Sequence, residues 1–233
     1  MVKRKITMPT ASLLLACIAF PSLVSANAFT GGQSGIMTSS TGNQMVQGAR
    51  ATVITPNTYP SLSSGQMTCV WPAVVGYSGG SIAQVGFAVE PGVGTIQPHY
   101  FMGWIPNGGS YKEIQSTVGP GKGSTHEYTV KKVAGGYWAG YVDTTQISST
   151  NANVTPDGVQ YYNENESTST RYFGTSTSKL KFAQVVYLDG SASGSDSSLW
   201  TWKKPILAIE ADANSQVDSS FETNSSWYSW DTH

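Results

Sequence analysis

The chain contains very little cysteine, histidine or charge. Only two cysteines and three histidines occur among 233 residues, and charged side chains make up 12% of the chain. Beyond residue 28, Cys69 is the only cysteine, so that part of the chain cannot form an internal disulfide. With no cysteine pair and few histidines, a zinc site is not expected either. We therefore expect a fold held by its hydrophobic core, with no metal and no cofactor.

Long apolar runs and clusters of basic residues are also missing beyond residue 28. No segment there approaches the roughly 18 consecutive apolar residues of a membrane span, so we expect none. The same part of the chain carries ten basic and 14 acidic residues, which gives a net charge of −4. Without a basic patch, nucleic acid is not an expected partner.

The first 28 residues have the features of an export signal. Three basic residues precede the apolar stretch Ala11–Phe20, which Pro21 ends. Small residues follow at Ala26 and Ala28, as a cleavage site requires. We therefore predict that residues 1–28 are a signal peptide and that the protein is secreted, either extracellular or periplasmic.

The remaining pattern predicts an all-β protein. Helical periodicity is almost absent, whereas alternating or apolar runs recur between turns rich in Gly, Pro, Asn and Ser. Many short strands at short spacing indicate an antiparallel sandwich or barrel. The predicted strands are 46–53, 67–75, 81–90, 99–105, 112–115, 126–133, 137–143, 158–165, 172–175, 180–188 and 206–210.

Composition divides the chain after the signal into three parts. Residues 29–66 are predicted to form an N-terminal arm and a first strand, the arm being rich in Gly, Ser and Thr. Residues 67–211 are predicted to form the β-sandwich domain. Residues 212–233 alternate acidic, small polar and aromatic side chains, which suits either an edge strand or a partly ordered tail.

One glutamine interrupts an otherwise apolar strand. In the run Ile82–Glu90, alternate side chains point to opposite faces, so that Ala83, Val85, Phe87 and Val89 form a wholly apolar face. The other face carries Gln84 between small residues, which leaves room for another molecule to approach. Gln84 is therefore a candidate functional residue; the alternative is a structural amide that bonds a neighbouring strand.

A second strand carries two carboxylates on one face. In the run Val159–Glu166, the side chains of Gln160, Tyr162, Glu164 and Glu166 share a face. Glu164 and Glu166 would lie about 7 Å apart, and repulsion with partial burial would raise the pKa of one of them. The alternative is a solvated strand end.

These segments resemble the glutamic peptidase group, which comprises the fungal eqolisins and the neprosin-type enzymes. Both carry an apolar-x-Gln-x-Gly strand, here Ile82–Phe87, followed by an aromatic strand with tryptophan, here Tyr100–Trp104. The turn Gly119–Gly121 and the segment Gly136–Trp138 also match. Val159–Glu166 lies where those families place a strand with a catalytic glutamate. The resemblance covers roughly residues 67–190.

The resemblance implies a concanavalin-A-like jelly roll of two antiparallel sheets and peptide hydrolysis at acid pH. Gln84 would hold the attacking water or the oxyanion, and Glu164 would act as general base and then acid, with Glu166 as a second candidate. In the nearest alignment, the catalytic glutamate of eqolisins corresponds to Gln160 of this chain. Only a shifted alignment, in which Glu164 takes that place, retains a catalytic carboxylate. The resemblance also predicts aromatic contacts to substrate, from Tyr100, Trp104, Tyr137, Tyr141 and Tyr162.

Two other functions fit the same sandwich. Trp200 and Trp202 lie on one strand face, and if exposed they would stack sugar rings in a glycan- or surface-binding module. A glycan hydrolase would need a second carboxylate across a cleft from Glu164, for which Glu90 and Glu127 are the candidates. The expected partner is thus an extracellular polypeptide or glycan.

Overall fold

The computed structural model describes residues 32–36, 46–64, 66–77, 79–91, 96–165, 171–190, 197–205, 208–210, 217–223 and 225–232. Within these ranges the regular structure is almost entirely β, with two 3₁₀ turns at Ala134–Gly136 and Ser197–Leu199. No helix in the described ranges is long and apolar enough to cross a membrane. Cys69 is buried.

The first sheet has seven strands, and every neighbouring pair is antiparallel. In spatial order they are β13 (Ala208–Glu210), β1 (Gly32–Ile36), β10 (Gly158–Asn165), β3 (Thr68–Gly76), β4 (Ser81–Pro91), β5 (Ile96–Ile105) and β6 (Lys112–Gln115).

The second sheet is also antiparallel and has eight strands. In spatial order they are β14 (Val217–Thr223), β15 (Ser226–Asp231), β11 (Leu180–Asp189), β2 (Val46–Ile54), β7 (Thr125–Lys132), β8 (Trp138–Val142) and β9 (Thr145–Thr150), with β12 (Thr201–Lys203) also paired to β11.

The two sheets enclose a core made from the apolar faces of their strands. The apolar face predicted for β4 is completely buried and belongs to this core. Aromatic rings join the sheets: Phe87 of β4 lies 5.9 Å from Tyr128 of β7 and 4.8 Å from Phe173, measured between ring centroids. The predicted fold class, an antiparallel two-sheet β-sandwich, is thereby confirmed.

One predicted strand is absent. Residues 172–175 form no strand, because Gly174 adopts φ = 91° and turns the chain. Phe173 is nevertheless fixed in the core. The Asn163 side chain donates to the Phe173 carbonyl at 3.0 Å and accepts from the Phe173 N–H at 3.3 Å. This buried amide thus makes the two backbone hydrogen bonds that a neighbouring strand would otherwise make.

Five strands were not among the predicted ones. They are β1, β9, β12, β14 and β15. β1 lies within the segment interpreted as a loose arm. β14 and β15 lie within residues 212–233, for which an edge strand was one of the two alternatives, and they form one margin of the second sheet. These segments are rich in Ser, Thr, Asn and Gly, so apolar alternation gives a weak signal there.

Candidate active site

Gln84 lies on the side of the seven-stranded sheet that faces away from the other sheet. A second buried cluster covers this side, and it includes apolar residues of β3, β4, β5 and β10. We call this surface the Gln84 face. Its described members on the four central strands are Cys69, Trp71, Ala73, Val75, Ile82, Gln84, Gly86, Ala88, Glu90, His99, Phe101, Gly103, Ile105, Gly158, Gln160, Tyr162 and Glu164.

The Gln84 side chain is 1% exposed, yet its carboxamide oxygen accepts no hydrogen bond from the described residues. Buried polar atoms in folded proteins nearly always have a partner, because leaving one unpaired costs about 1–3 kcal/mol. Gln84 therefore does not act as the structural amide considered above, at least through its oxygen. An unpaired, buried acceptor of this kind needs an explanation, and one explanation is a water or ligand that the site binds.

A row of polar residues crosses the Gln84 face at the level of Gln84. Gln160 pairs with Ala73, Ala73 with Gln84, Gln84 with Gly103, and Gly103 with Glu113 of β6. We call Gln160, Gln84 and Glu113 the polar row. Its members are separated by Ala73 and Gly103, two of the smallest residues, so neither intervening strand places a long side chain between them, and the Tyr111 ring lies over Gly103.

Apolar layers border the polar row on both sides. Val75, Ile82 and Ile105 form the layer on one side, and all three are buried. Trp71 and Phe101 belong to the layer on the other side and are each 1% exposed. Such walls exclude water and strengthen electrostatic interactions inside the row.

Glu113 has a perturbed carboxyl group. Burial raises its pKa above the usual 4.5, and the charge of Glu90 raises it further. Two hydrogen bonds oppose this shift without cancelling it: the Tyr111 hydroxyl donates to Oε2, and Gln115 Nε2 donates to Oε1 at 2.7 Å. A carboxyl with a raised pKa can exchange protons in the mildly acidic range.

Glu164 is on the Gln84 face but not at the level of Gln84. Its register partner is Cys69, whereas the partner of Gln84 is Ala73, four residues along the same strand. From strand geometry, two strand spacings and four residues place the Gln84 and Glu164 Cα atoms about 17 Å apart. The structure therefore puts the two predicted residues on one surface without bringing them together.

Glu164 instead bonds to the side chains around it. Its Oε2 accepts from Trp71 Nε1 at 2.8 Å, and Cys69 Sγ lies 3.7 Å from the same oxygen. Glu164 is 1% exposed, so the interpretation of this position as a solvated strand end is wrong. Glu166, the second predicted carboxylate, lies outside the described residues.

The five predicted substrate-contacting aromatics lie in four different places. Tyr162 is on the Gln84 face, buried, with its ring 4.9 Å from that of Trp71. Tyr100 and Trp104 lie on the opposite side of the sheet from the Gln84 face and pack against the core between the sheets. Tyr141 lies on the outer side of the second sheet, where Lys131 Nζ is 5.1 Å from its ring. Tyr137 precedes β8 and is 45% exposed.

The residues that supported the glycan alternatives are also spread out. Trp202 packs under the Arg50 guanidinium, 4.4 Å from its ring centroid, on the second sheet. Glu127 is on β7 of that same sheet, 3.6 Å from Arg50, and so cannot face Glu164. Glu90 is on β4 and shares the Gln84 face with Glu164, with about 12 Å between their Cα atoms from strand geometry. Among the described residues, no group of three or more His, Cys, Asp or Glu is arranged to hold a metal ion.

Comparison with known proteins gives one informative match. No protein-family model matches the chain, and neither does any curated protein. The crystal structure of scytalido-glutamic peptidase with a transition state analog inhibitor matches with a TM-score of 0.56 and 16% identity, over 89% of this chain and 100% of that one. The chain has the fold of scytalido-glutamic peptidase. At this identity the match shows the fold and leaves the chemistry to be argued from the residues.

Two β-glucanases match less well. One is from Bacillus licheniformis, with a TM-score of 0.37 and 13% identity over 60% of this chain and 75% of that one. The other is a prokaryotic β-1,3-1,4-glucanase (lichenase) derived from a mouse hindgut metagenome, with a TM-score of 0.38 and 12% identity over 64% and 78%.

Sequence reasoning missed Glu113 and Tyr111 as candidate site residues. Glu113 belongs to a strand of four residues with mostly exposed side chains, which gives no amphipathic signal. The available signal was Gly103, because glycine inside a strand often marks the close approach of another group. A Cβ atom at Gly103 would overlap the Tyr111 hydroxyl.

Proposed function

We propose that this protein is an exported hydrolase that cleaves polypeptides by the type of chemistry used by glutamic peptidases. The observation that supports this most directly is the buried Gln84 carboxamide, whose oxygen has no partner among the described residues, in the middle of the polar row. The shared fold with scytalido-glutamic peptidase makes the proposal consistent with the architecture. The export signal predicted in residues 1–28 supports an extracellular or periplasmic substrate.

The chemistry needs one carboxamide and one carboxylate. The Gln84 oxygen accepts a hydrogen bond from a water molecule and so orients the lone pair of that water, while a carboxylate on the same face removes the water's other proton. The water oxygen then attacks the peptide carbonyl carbon, and the Gln84 amide N–H donates to the resulting oxyanion. The carboxylic acid returns its proton to the amide nitrogen, and the carbon–nitrogen bond breaks to give an acid and an amine.

A neutral amide suits this task for a physical reason. It stabilises negative charge on the oxyanion without competing for the proton that the carboxylate must accept. The stability lost by keeping Gln84 buried and unpaired is then explained by its function, as is common at active sites.

The test is cleavage of denatured casein and of a Pro-rich peptide between about pH 2.5 and pH 7, which brackets the range of a perturbed carboxyl. Gln84→Met should abolish cleavage without lowering the free energy of unfolding, because Met has a similar shape and removes an unpaired buried acceptor. Gln146→Met, at an exposed position on β9, is the matched control and should cleave normally.

Two results would contradict the proposal. Gln84→Met with unchanged cleavage would show that the carboxamide takes no part. Absence of cleavage by the unmodified protein at every pH, combined with binding or hydrolysis of a β-glucan, would favour a glycan-directed function instead.

A further inference from the structure

The geometry points to Glu113 of β6, and not Glu164, as the carboxylate that works with Gln84, with Tyr111 as the residue that positions it. This inference rests on the proposed function and names its proton-transferring group. It follows from strand register, from the small residue between the two side chains and from the partners of each carboxylate.

Register places Glu113 at the same level as Gln84. Gln84 pairs with Gly103, and Gly103 pairs with Glu113, so the two side chains leave the same face of the sheet on either side of one glycine. Two strand spacings separate their Cα atoms by about 10 Å. Because Gly103 has no side chain, nothing from β5 stands between the carboxamide and the carboxyl group.

Tyr111 occupies the space above Gly103. A Cβ atom at position 103 would overlap its hydroxyl oxygen, and that hydroxyl donates to Glu113 Oε2. The phenol thus fixes one carboxylate oxygen, and Gln115 Nε2 fixes the other at 2.7 Å. A carboxylate held at both oxygens has a defined orientation relative to Gln84, as a general base requires.

Trp71 explains why Glu164 does not meet Gln84. Along β3, Trp71 lies midway between Cys69, which is opposite Glu164, and Ala73, which is opposite Gln84. Its buried indole therefore stands between the two side chains. The indole N–H donates to Glu164 Oε2 at 2.8 Å, which holds that carboxylate against Trp71.

The electrostatics of Glu113 suit a group that accepts a proton and returns it in mildly acidic solution. Burial and the negative charge of Glu90 raise the pKa of Glu113, and the hydrogen bonds from Tyr111 and Gln115 lower it by less. In the reaction, Glu113 would take a proton from the water held by Gln84. It would then return that proton to the leaving nitrogen, and the carboxylate would be regenerated.

The first experiment compares carboxylate variants in the casein and peptide assays. Glu113→Gln should lower kcat at least about 100-fold with little change in KM, the usual effect of losing a general base. A folded Glu164→Gln should stay within a few fold of the unmodified protein. Glu222→Gln, at an exposed site on β14 in the other sheet, is the matched control. Normal cleavage by Glu113→Gln, alongside dependence on Gln84, would overturn this inference and leave the proposed function intact.

Tyr111→Phe tests the positioning role. Losing the hydroxyl removes one of the hydrogen bonds that lower the pKa of Glu113, so that pKa should rise. The acid limb of the pH–rate profile should move to higher pH by the same amount, with part of the activity retained. A residue that only supports the fold would lower the rate without moving the limb.

A second measurement does not require activity. The Glu113 carboxyl is titrated by carbon-detected NMR in the unmodified protein, in Gln84→Met and in Gln160→Met. If Gln84 and Glu113 share bound water, Gln84→Met should raise the pKa of Glu113. Gln160→Met, on the far side of Ala73, should leave it unchanged. Identical Glu113 titration in all three proteins would overturn the pairing even if no substrate is ever cleaved.

Discussion

The Trp71 indole nitrogen donates a 2.8 Å hydrogen bond to Glu164 Oε2, and each of the two residues is 1% exposed. Two neighbouring strands, β3 and β10, are thereby joined through side chains as well as through their backbones. A buried carboxylate in such a contact stabilises the sheet whether or not it takes part in chemistry.

We expect Glu164→Ala to destabilise the protein by at least about 1–3 kcal/mol, the cost of leaving the buried Trp71 N–H unpaired. Glu164→Gln keeps an acceptor oxygen and should lose less. Urea unfolding followed by tryptophan fluorescence measures both. An unchanged free energy of unfolding for Glu164→Ala would show that this contact contributes nothing to stability.

Gly86 of β4 lies close against β3 on the Gln84 face. A Cβ atom there would overlap the Val70 carbonyl oxygen and lie 2.8 Å from Trp71 Cβ. Two paired central strands cannot move apart to admit it, so Gly86→Ala should cost about 3 kcal/mol or more. Gly121→Ala is the matched control, because nothing lies within 4 Å of a Cβ at that position.

The Gly121→Ala change should alter stability by less than about 1 kcal/mol, in either direction. Denaturant unfolding of both variants gives the comparison. If Gly86→Ala were as stable as Gly121→Ala, the sheet would be more adaptable at this point than the contacts indicate, and the argument that glycine is required there would fail.

The strands near the centre of each sheet were predictable because their side chains alternate regularly between two faces of different character. The alternation within Ile82–Glu90 identified the core side of β4 and placed Gln84 on the opposite side, and both assignments agree with the burial of these residues. Long runs with one fully apolar face leave a single register that buries that face.

The site was only partly predictable. Residues that share a strand can be assigned to one face from sequence, but which residue of β6 lies level with Gln84 depends on the pairing of β4 with β5 and of β5 with β6. No local pattern encodes that register, so Glu113 was missed, while Glu164 was selected through a resemblance. Tyr111 precedes β6, and no periodic pattern identifies such a residue.

Trp227 attaches the C-terminal strands to the core. Its ring stacks on that of Phe182 at 4.5 Å with an interplanar angle of 4°, and both are fully buried. Trp227→Ala should cost about 3–5 kcal/mol, as is usual for a buried large aromatic. Trp227→Phe should lose clearly less, because the indole N–H has no partner among the described residues and no hydrogen bond is lost.

Trp230→Ala is the control for that series. Trp230 is only partly buried, and Lys179 Nζ lies 3.5 Å from its ring centroid. Loss of this exposed cation–π contact should cost about 1 kcal/mol or less. Urea unfolding of the three variants gives the ranking. Equal losses for Trp227→Ala and Trp230→Ala would mean that β15 is not part of the cooperative core.

Asp143 predicts how stability changes in acid. Burial raises the pKa of its carboxyl, but a 2.8 Å contact with His126 Nδ1 and a 2.9 Å hydrogen bond from the Glu127 N–H outweigh burial, so the pKa falls below 3.8. A carboxyl with a lowered folded-state pKa stabilises the protein at higher pH, and its contribution is lost as pH falls through that pKa. With 53% of the side chain exposed, solvent should limit this to less than about 1 kcal/mol.

Asp143→Asn removes the charge and preserves the shape, and asparagine tolerates the left-handed backbone at this position, where φ is 54°. The unmodified protein should be more stable than Asp143→Asn at about pH 5, and the difference should disappear towards pH 2 as the carboxyl is protonated. His126→Gln, which removes one of the two partners, should give a smaller difference of the same sign. Chemical denaturation at a series of pH values measures all three proteins. A difference between the unmodified protein and Asp143→Asn that stays constant down to pH 2 would show that the Asp143 charge is not the source of the stabilisation.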